Sequence, residues 1–301
     1  MIWISMFLAF FLSKVKPENK NETVGWRMAY VGEFPFVVAI GGSKMCAGSL
    51  MTLQSVITAG HCIYYDTEHE RSRALKYIYI IGGVVKIEAR KMLPGRQERH
   101  PSSLKVHEKY ERRTLTSRMN LFDIGVMYLS KPFKETEVVR PMRLISTSMK
   151  EFKRGYQRVI DRQEKCHGVG WHWNLSNSER KLIVIELIPK SNTFCSKFKK
   201  SKDEDQSSHG EVCLMPANPH KSNCHCDTGG PLVCKGLTYG VLSTGFECSD
   251  TTKPVYYFLF WSYMEYYGIG SSPPRLFHSD LAWKCAMIIF IMRPPFVTLS
   301  W

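Results

Sequence analysis

The chain has 301 residues, 44% of them hydrophobic and 23% charged, which can bury a large core and suits one all-β unit of this size. Lys and Arg total 41 against 27 Asp and Glu, a formal net charge of +14 that suits acidic partners such as sulfated glycans, anionic membranes or acidic proteins. The same excess also serves plain solubility. Ten cysteines are more than a reduced cytosolic protein needs, so a secreted, extracellular chain is expected, and such a chain rarely meets nucleic acid.

In chain order, Met1 to Leu12 is an apolar run of signal-peptide length, followed by Ser13 and Lys14. It is too short to span a bilayer, and it lacks a basic start and a clear small-residue cleavage site. Residues 1–13 are therefore expected as a signal peptide, with a buried or mis-started N-terminus as the alternative. Phe36-Val37-Val38-Ala39-Ile40 and Tyr77-Ile78-Tyr79-Ile80-Ile81 read as strands, with Gly-, Pro- and Asn-rich pieces between such runs. Basic residues gather in Lys86–Arg99, Lys105–Arg118, Lys150–Lys165 and Lys197–Lys202. Helical periodicity is scarce outside Phe258–Tyr267. Gly268 to Pro274 is a flexible break, and an apolar tail containing Ala286 to Met292 follows. A faint lipid-anchor pattern in that tail is interrupted by Lys284, Arg293 and Pro294-Pro295, which leaves a packed or disordered extension over 268–301.

The densest cluster of chemistry is Cys224-His225-Cys226-Asp227-Thr228-Gly229-Gly230-Pro231-Leu232. Zinc binding by Cys224, His225 and Cys226 is one reading, but C-x-C is poor zinc spacing, and neither a metal nor a cofactor is expected. The segment resembles the nucleophile loop of the chymotrypsin/trypsin family, C-x-G-D-S-G-G-P-L. Thr58-Ala59-Gly60-His61-Cys62 resembles that family's T-A-A-H-C segment, and Asn120-Leu121-Phe122-Asp123-Ile124-Gly125-Val126 resembles its N-x-x-D-I-A-L segment. Gly32-Glu33-Phe34-Pro35-Phe36, Gly170-Trp171 and Pro254-Val255-Tyr256 add supporting matches in the same order.

The resemblance implies an all-β fold of two six-stranded antiparallel β-barrels, with the active site in the cleft between them and a short C-terminal helix. It covers residues 23–267 as one protease-like domain, with 14–22 as a short propeptide-like segment. The implied triad is His61 as general base, Asp123 as its orienting carboxylate and Thr228 at the nucleophile position. Cys226 and Thr228 would supply the oxyanion-hole N–H groups. Ser222, six residues before Thr228, together with Ser243 and Gly245, would line an apolar specificity pocket. The family's bridges map to Cys46–Cys62, Cys166–Cys234, Cys195–Cys213 and Cys224–Cys248. Cys226 and Cys285 then remain, either free or paired with each other.

Two departures fall on the chemistry. Thr228 adds a Cβ methyl that restricts χ1 at a crowded turn, and an internal threonine lacks the terminal amine that N-terminal threonine nucleophiles use as base. Cys226 stands where the family has a Gly, and losing one oxyanion donor costs about 10²–10³ in rate. Activation in the family frees an amine that pairs with the Asp beside the nucleophile. In this register the cut would fall between Glu22 and Thr23, leaving Thr23 to pair with Asp227, and an acidic residue precedes the cut. Asn21 and Asn174 head glycosylation sequons. The expected protein is thus a secreted monomeric homologue with an impaired site. It would bind a protein or peptide in its cleft, regulate a protease, or hold an acidic glycan or acidic protein. The alternative is a slow but genuine serine-type endopeptidase using His61, Asp123 and Thr228.

Overall fold

In a computed structural model of the protein, the residues described are 26–88, 93–111, 121–174, 179–198, 209–218, 227–244 and 252–270. The expected signal peptide (1–13), the propeptide-like segment (14–22) and, beyond residue 270, the expected extension (268–301) lie outside them. The first half carries β1 (Trp26–Met28), β2 (Val37–Gly41), β3 (Cys46–Thr52), β4 (Ser55–Thr58), β5 (Tyr79–Gly82), β6 (Lys86–Ile87), β7 (Gln97–Arg99), β8 (Pro101–Val106) and β9 (Gly125–Leu129). The second half carries β10 (Cys166–Asn174), β11 (Glu179–Pro189), β12 (Glu211–Pro216), β13 (Pro231–Cys234), β14 (Leu237–Thr244) and β15 (Val255–Leu259).

The second-half strands run β11-β10-β13-β14-β15-β12, and β12 pairs again with β11, closing a six-stranded antiparallel barrel. The first-half order is β7-β5-β2-β3-β4-β9-β8. Only His100 separates β7 from β8, so both ends of this sheet belong to one bent strand, and the sheet rolls on itself as a second barrel. Rolling a sheet this way leaves few free hydrogen-bonding edges. The expected fold class is present.

Local detail departs from the expected elements. All five residues of β2 are buried rather than alternating, because both faces of the strand are covered. The strand begins at Val37, not Phe36, and Tyr77 ends a helix while Tyr79 starts β5. The helix expected over Phe258–Tyr267 begins as strand β15, whose ladders with β12 and β14 outweigh helical periodicity. A 3₁₀ turn (Phe260–Ser262) follows, and only Met264–Tyr267 is α-helical.

Among the described residues, four further helices occur: α1 (Gly60–Ile63), α2 (Glu68–Tyr77), α3 (Met149–Asp161) and α4 (Asn192–Ser196), with Met264–Tyr267 as α5. Thr67 caps α2 by accepting from the Glu70 N–H at 3.2 Å. The longest helix, α3, buries Phe152, Gly155, Tyr156 and Val159, an i, i+3, i+4, i+7 stripe. It went unanticipated because its basic outer face (Lys150, Lys153, Arg154, Arg158) was the more conspicuous signal.

The first and last described elements each reach the opposite barrel. β1 pairs with β11 of the second barrel, whereas the Tyr267 hydroxyl donates to the Ile124 carbonyl beside β9 of the first at 2.9 Å. Cys46–Cys62, Cys166–Cys234 and Cys195–Cys213 are bridged as the family resemblance implied. Cys224–Cys248 lies outside the described residues. No helix among the described residues is long and apolar enough to cross a membrane.

Candidate active site

The site forms where β4 of the first barrel meets the Asp227–Gly230 turn that feeds β13 of the second. The Ala47 N–H donates to the Thr228 carbonyl at 2.8 Å, and the Thr58 hydroxyl donates to the Ala47 carbonyl at 2.7 Å. Two glycines permit this approach. A Cβ on Gly229 (φ +87°) would lie 2.2 Å from Thr58 Oγ1, and one on Gly230 would lie 2.1 Å from the Val169 carbonyl oxygen. Neither contact is tolerable, so the Gly-Gly pair is required by packing.

α1 delivers His61 to the same seam. Asp123 is fully buried and accepts hydrogen bonds from the His61 N–H (2.7 Å), from His61 Nδ1 (2.8 Å) and from the Ser243 hydroxyl (2.5 Å). Donation from Nδ1 leaves Nε2 as the acceptor in neutral His61, and Nε2 lies 2.7 Å from Thr228 Oγ1. That is the distance a general base needs to take a hydroxyl proton. Burial alone would push the Asp123 carboxyl up; the bonds from His61 and Ser243 outweigh it and hold the group below the ordinary carboxylate value. Thr228 Oγ1 also sits 3.7 Å from Cys46 Sγ and from Cys62 Sγ, so the bridge beside His61 flanks the hydroxyl.

The three residues expected as a triad are therefore brought together. Ser243, expected in the specificity pocket, is buried, and its hydroxyl is committed to Asp123, a role the sequence reading missed. Asp227 pairs with Arg180 of β11, which was not anticipated. Arg180 lies in the string Glu179-Arg180-Lys181, which reads as surface charge, and only tertiary packing buries its side chain to 4% exposure. Burial pushes the Asp227 carboxyl above its ordinary value, and Arg180 opposes that shift.

Ser222, Cys226 and Gly245, with Thr23 and Asn21, lie outside the described residues, as does His225 with Cys224. Asn174 ends β10, and only its backbone is described. Cys46, His61 and Cys62 place potential metal-binding atoms within 4.8 Å of one another, but the two sulfurs are bonded together. That leaves one imidazole and no thiolate, a donor set that does not make a zinc centre.

A buried carboxylate, an imidazole and a hydroxyl in line, set between two six-stranded barrels, define a protein of the chymotrypsin fold class. Comparison with known families agrees: the model of the family described as Trypsin matches residues 23–266, and the chain belongs to the trypsin family. Among its relatives, submandibular glandular kallikrein-9 of Rattus norvegicus is 27% identical over 269 residues, covering 85% of this chain and 93% of that protein. Cationic trypsin-3 of Rattus norvegicus is 26% identical, covering 84% and 92%, and trypsin delta of Drosophila erecta is 26% identical, covering 80% and 85%. A solved structure described as kallikrein-related peptidase 10 in complex with Zn2+ aligns with a TM-score of 0.55 at 21% identity, covering 80% of this chain and 97% of that one. That likeness supports the fold.

Proposed function

We propose that this trypsin-family protein acts by binding a protein or peptide segment in its cleft, with peptide hydrolysis strongly reduced. The observation that carries the reading is Thr228. Its hydroxyl is held 2.7 Å from His61 Nε2 and flanked by the Cys46–Cys62 bridge, so a second substituent on the same Cβ crowds the path of an incoming carbonyl. The replacement of Gly by Cys226 weakens oxyanion stabilisation on the same reading. Secretion is supported by the three bridges, which form and persist in oxidising compartments. An acidic partner is supported by the exposed Lys150, Lys153, Arg154 and Arg158 of α3.

One observation favours the second reading, a slow endopeptidase: the Ser243–Asp123–His61–Thr228 chain of hydrogen bonds is unbroken. In that case His61 would take the Thr228 proton as Oγ1 attacks the carbonyl carbon, and would return it to the leaving amine. Labelling by an active-site fluorophosphonate decides between the two. Under the binding reading the native chain labels at least about 100-fold more slowly than Thr228→Ser, while Thr228→Ala still binds peptides that the native chain retains. Comparable labelling of the native chain and Thr228→Ser would establish the endopeptidase and sink the binding reading.

A further inference from the structure

We propose that Arg180 is a positioning residue: a buried cation, carried by β11, that pins Asp227 and so holds the Thr228 hydroxyl against His61 without a newly freed chain terminus. Asp227 immediately precedes Thr228, so the side chain that fixes Asp227 also fixes the turn carrying the hydroxyl. The expectation from family resemblance is that an amine freed at Thr23 supplies that fixing charge. In this protein the charge comes from within a strand.

Three features make Arg180 suited to the task. Its side chain is 4% exposed and its Nη2 donates to the half-buried Asp227 at Oδ2, so the two charges neutralise each other. The same Nη2 lies 3.5 Å from the Cys46 carbonyl oxygen, and Cys46 is bridged to Cys62, next to His61. One nitrogen therefore touches the chain on the hydroxyl side of the site and the chain on the imidazole side. Finally, the guanidinium carbon lies 5.9 Å from the centre of the Trp171 ring, and the Trp171 carbonyl accepts the Asp227 N–H at 2.9 Å.

The charge count gives the device its consequence. Asp227 supplies one negative charge and Arg180 one positive charge, so a terminal ammonium arriving at Asp227 would add an uncompensated buried charge unless it displaced Arg180. The Arg180–Asp227 pair calls for no amine from a cut between Glu22 and Thr23. This proposal does not depend on whether the cleft binds or hydrolyses peptides.

The test uses the folded chain with the Glu22–Thr23 bond intact, checked by mass. Hydrogen exchange is followed at Asp227 and Gly229, whose N–H groups donate to Trp171 and Leu242. The nitrogen resonances of His61 report its bond to Thr228. Arg180→Gln is expected to speed exchange at those amides by about tenfold or more and to remove the His61 Nε2 hydrogen-bond signature. Arg180→Lys, which keeps the charge, is expected to restore part of both. Leu182→Ala, a fully apolar change two residues along the same strand, is expected to lower Tm while leaving the His61 signature in place. If Arg180→Gln does not fold, Arg180→Gln with Asp227→Asn, which buries no unbalanced charge, carries the same expectation. A folded variant lacking Arg180 that keeps native exchange and the native His61 signature would overturn the proposal. So would a Leu182→Ala variant that loses the signature equally.

Discussion

Removing the Ser243 hydroxyl measures how the fold secures its buried carboxylate. In Ser243→Ala, Asp123 keeps its two bonds from His61 but loses the 2.5 Å bond from Ser243, and neither residue is open to bulk solvent, Asp123 being 0% and Ser243 2% exposed. A hydrogen bond to a charged group contributes about 1.5–3 kcal/mol, so a loss of about 2 kcal/mol is expected at neutral pH. For a domain of this size that lowers Tm by roughly 4–8 °C. The sign of the pH dependence follows from the Asp123 carboxyl, which is depressed in the folded state. Its stabilising contribution is present above the ordinary value of 3.8 and is lost as pH falls through the lower folded value. The bond from Ser243 helps to depress it, so the difference between Ser243→Ala and the native chain should shrink in strong acid to about 1 kcal/mol, the scale of a neutral hydrogen bond. Urea unfolding with the disulfides intact, followed by fluorescence and circular dichroism to check two-state behaviour, gives both numbers. A loss below about 0.5 kcal/mol at pH 7, or an equal loss at neutral and strongly acidic pH, would refute the reasoning.

Phe152→Ala should cost about 3–5 kcal/mol, because Phe152 is fully buried in α3 and packs edge-on against Tyr239 at 5.3 Å; urea unfolding reads it, and a cost below about 1 kcal/mol would show that α3 is loosely packed. His107 and His167 are both held below the ordinary imidazole value by burial, so their contribution is present above about 6.5 and lost as pH falls through their depressed values. Tm should accordingly fall between pH 7 and pH 5, and the double variant His107→Gln with His167→Gln should show a shallower fall; identical slopes would remove these residues as the cause. Three bridges are placed in the structure, and with Cys224–Cys248 as the family implies, Cys226 and Cys285 remain; thiol titration of the denatured, unreduced protein should find two thiols. A Cys226–Cys285 cross-linked peptide on non-reducing mapping would overturn that count.

The sequence by itself determined the fold class and the main line of the site. Thr58–Cys62, Phe122–Ile124 and Asp227–Leu232 are local strings whose residue types are dictated by chemistry and by backbone approach. The Gly229-Gly230 pair illustrates this, since any Cβ there would strike Thr58 or Val169. Local patterning also carries α3, since Phe152, Gly155, Tyr156 and Val159 form a stripe at helical spacing beneath a basic outer face. Only the tertiary structure decided what Ser243 and Arg180 do. Ser243 is separated from Asp123 by 120 residues and Arg180 from Asp227 by 47, and neither partner can be read from its neighbours in the chain. Burial decides their roles: a serine or arginine in water has many equivalent partners, whereas one sealed between two barrels must satisfy its charge or hydrogen bond with the group the fold places beside it. The same reason converts the end of the apolar run at Phe258 from the expected helix into strand, because the ladder that claims it comes from residues brought alongside by barrel closure.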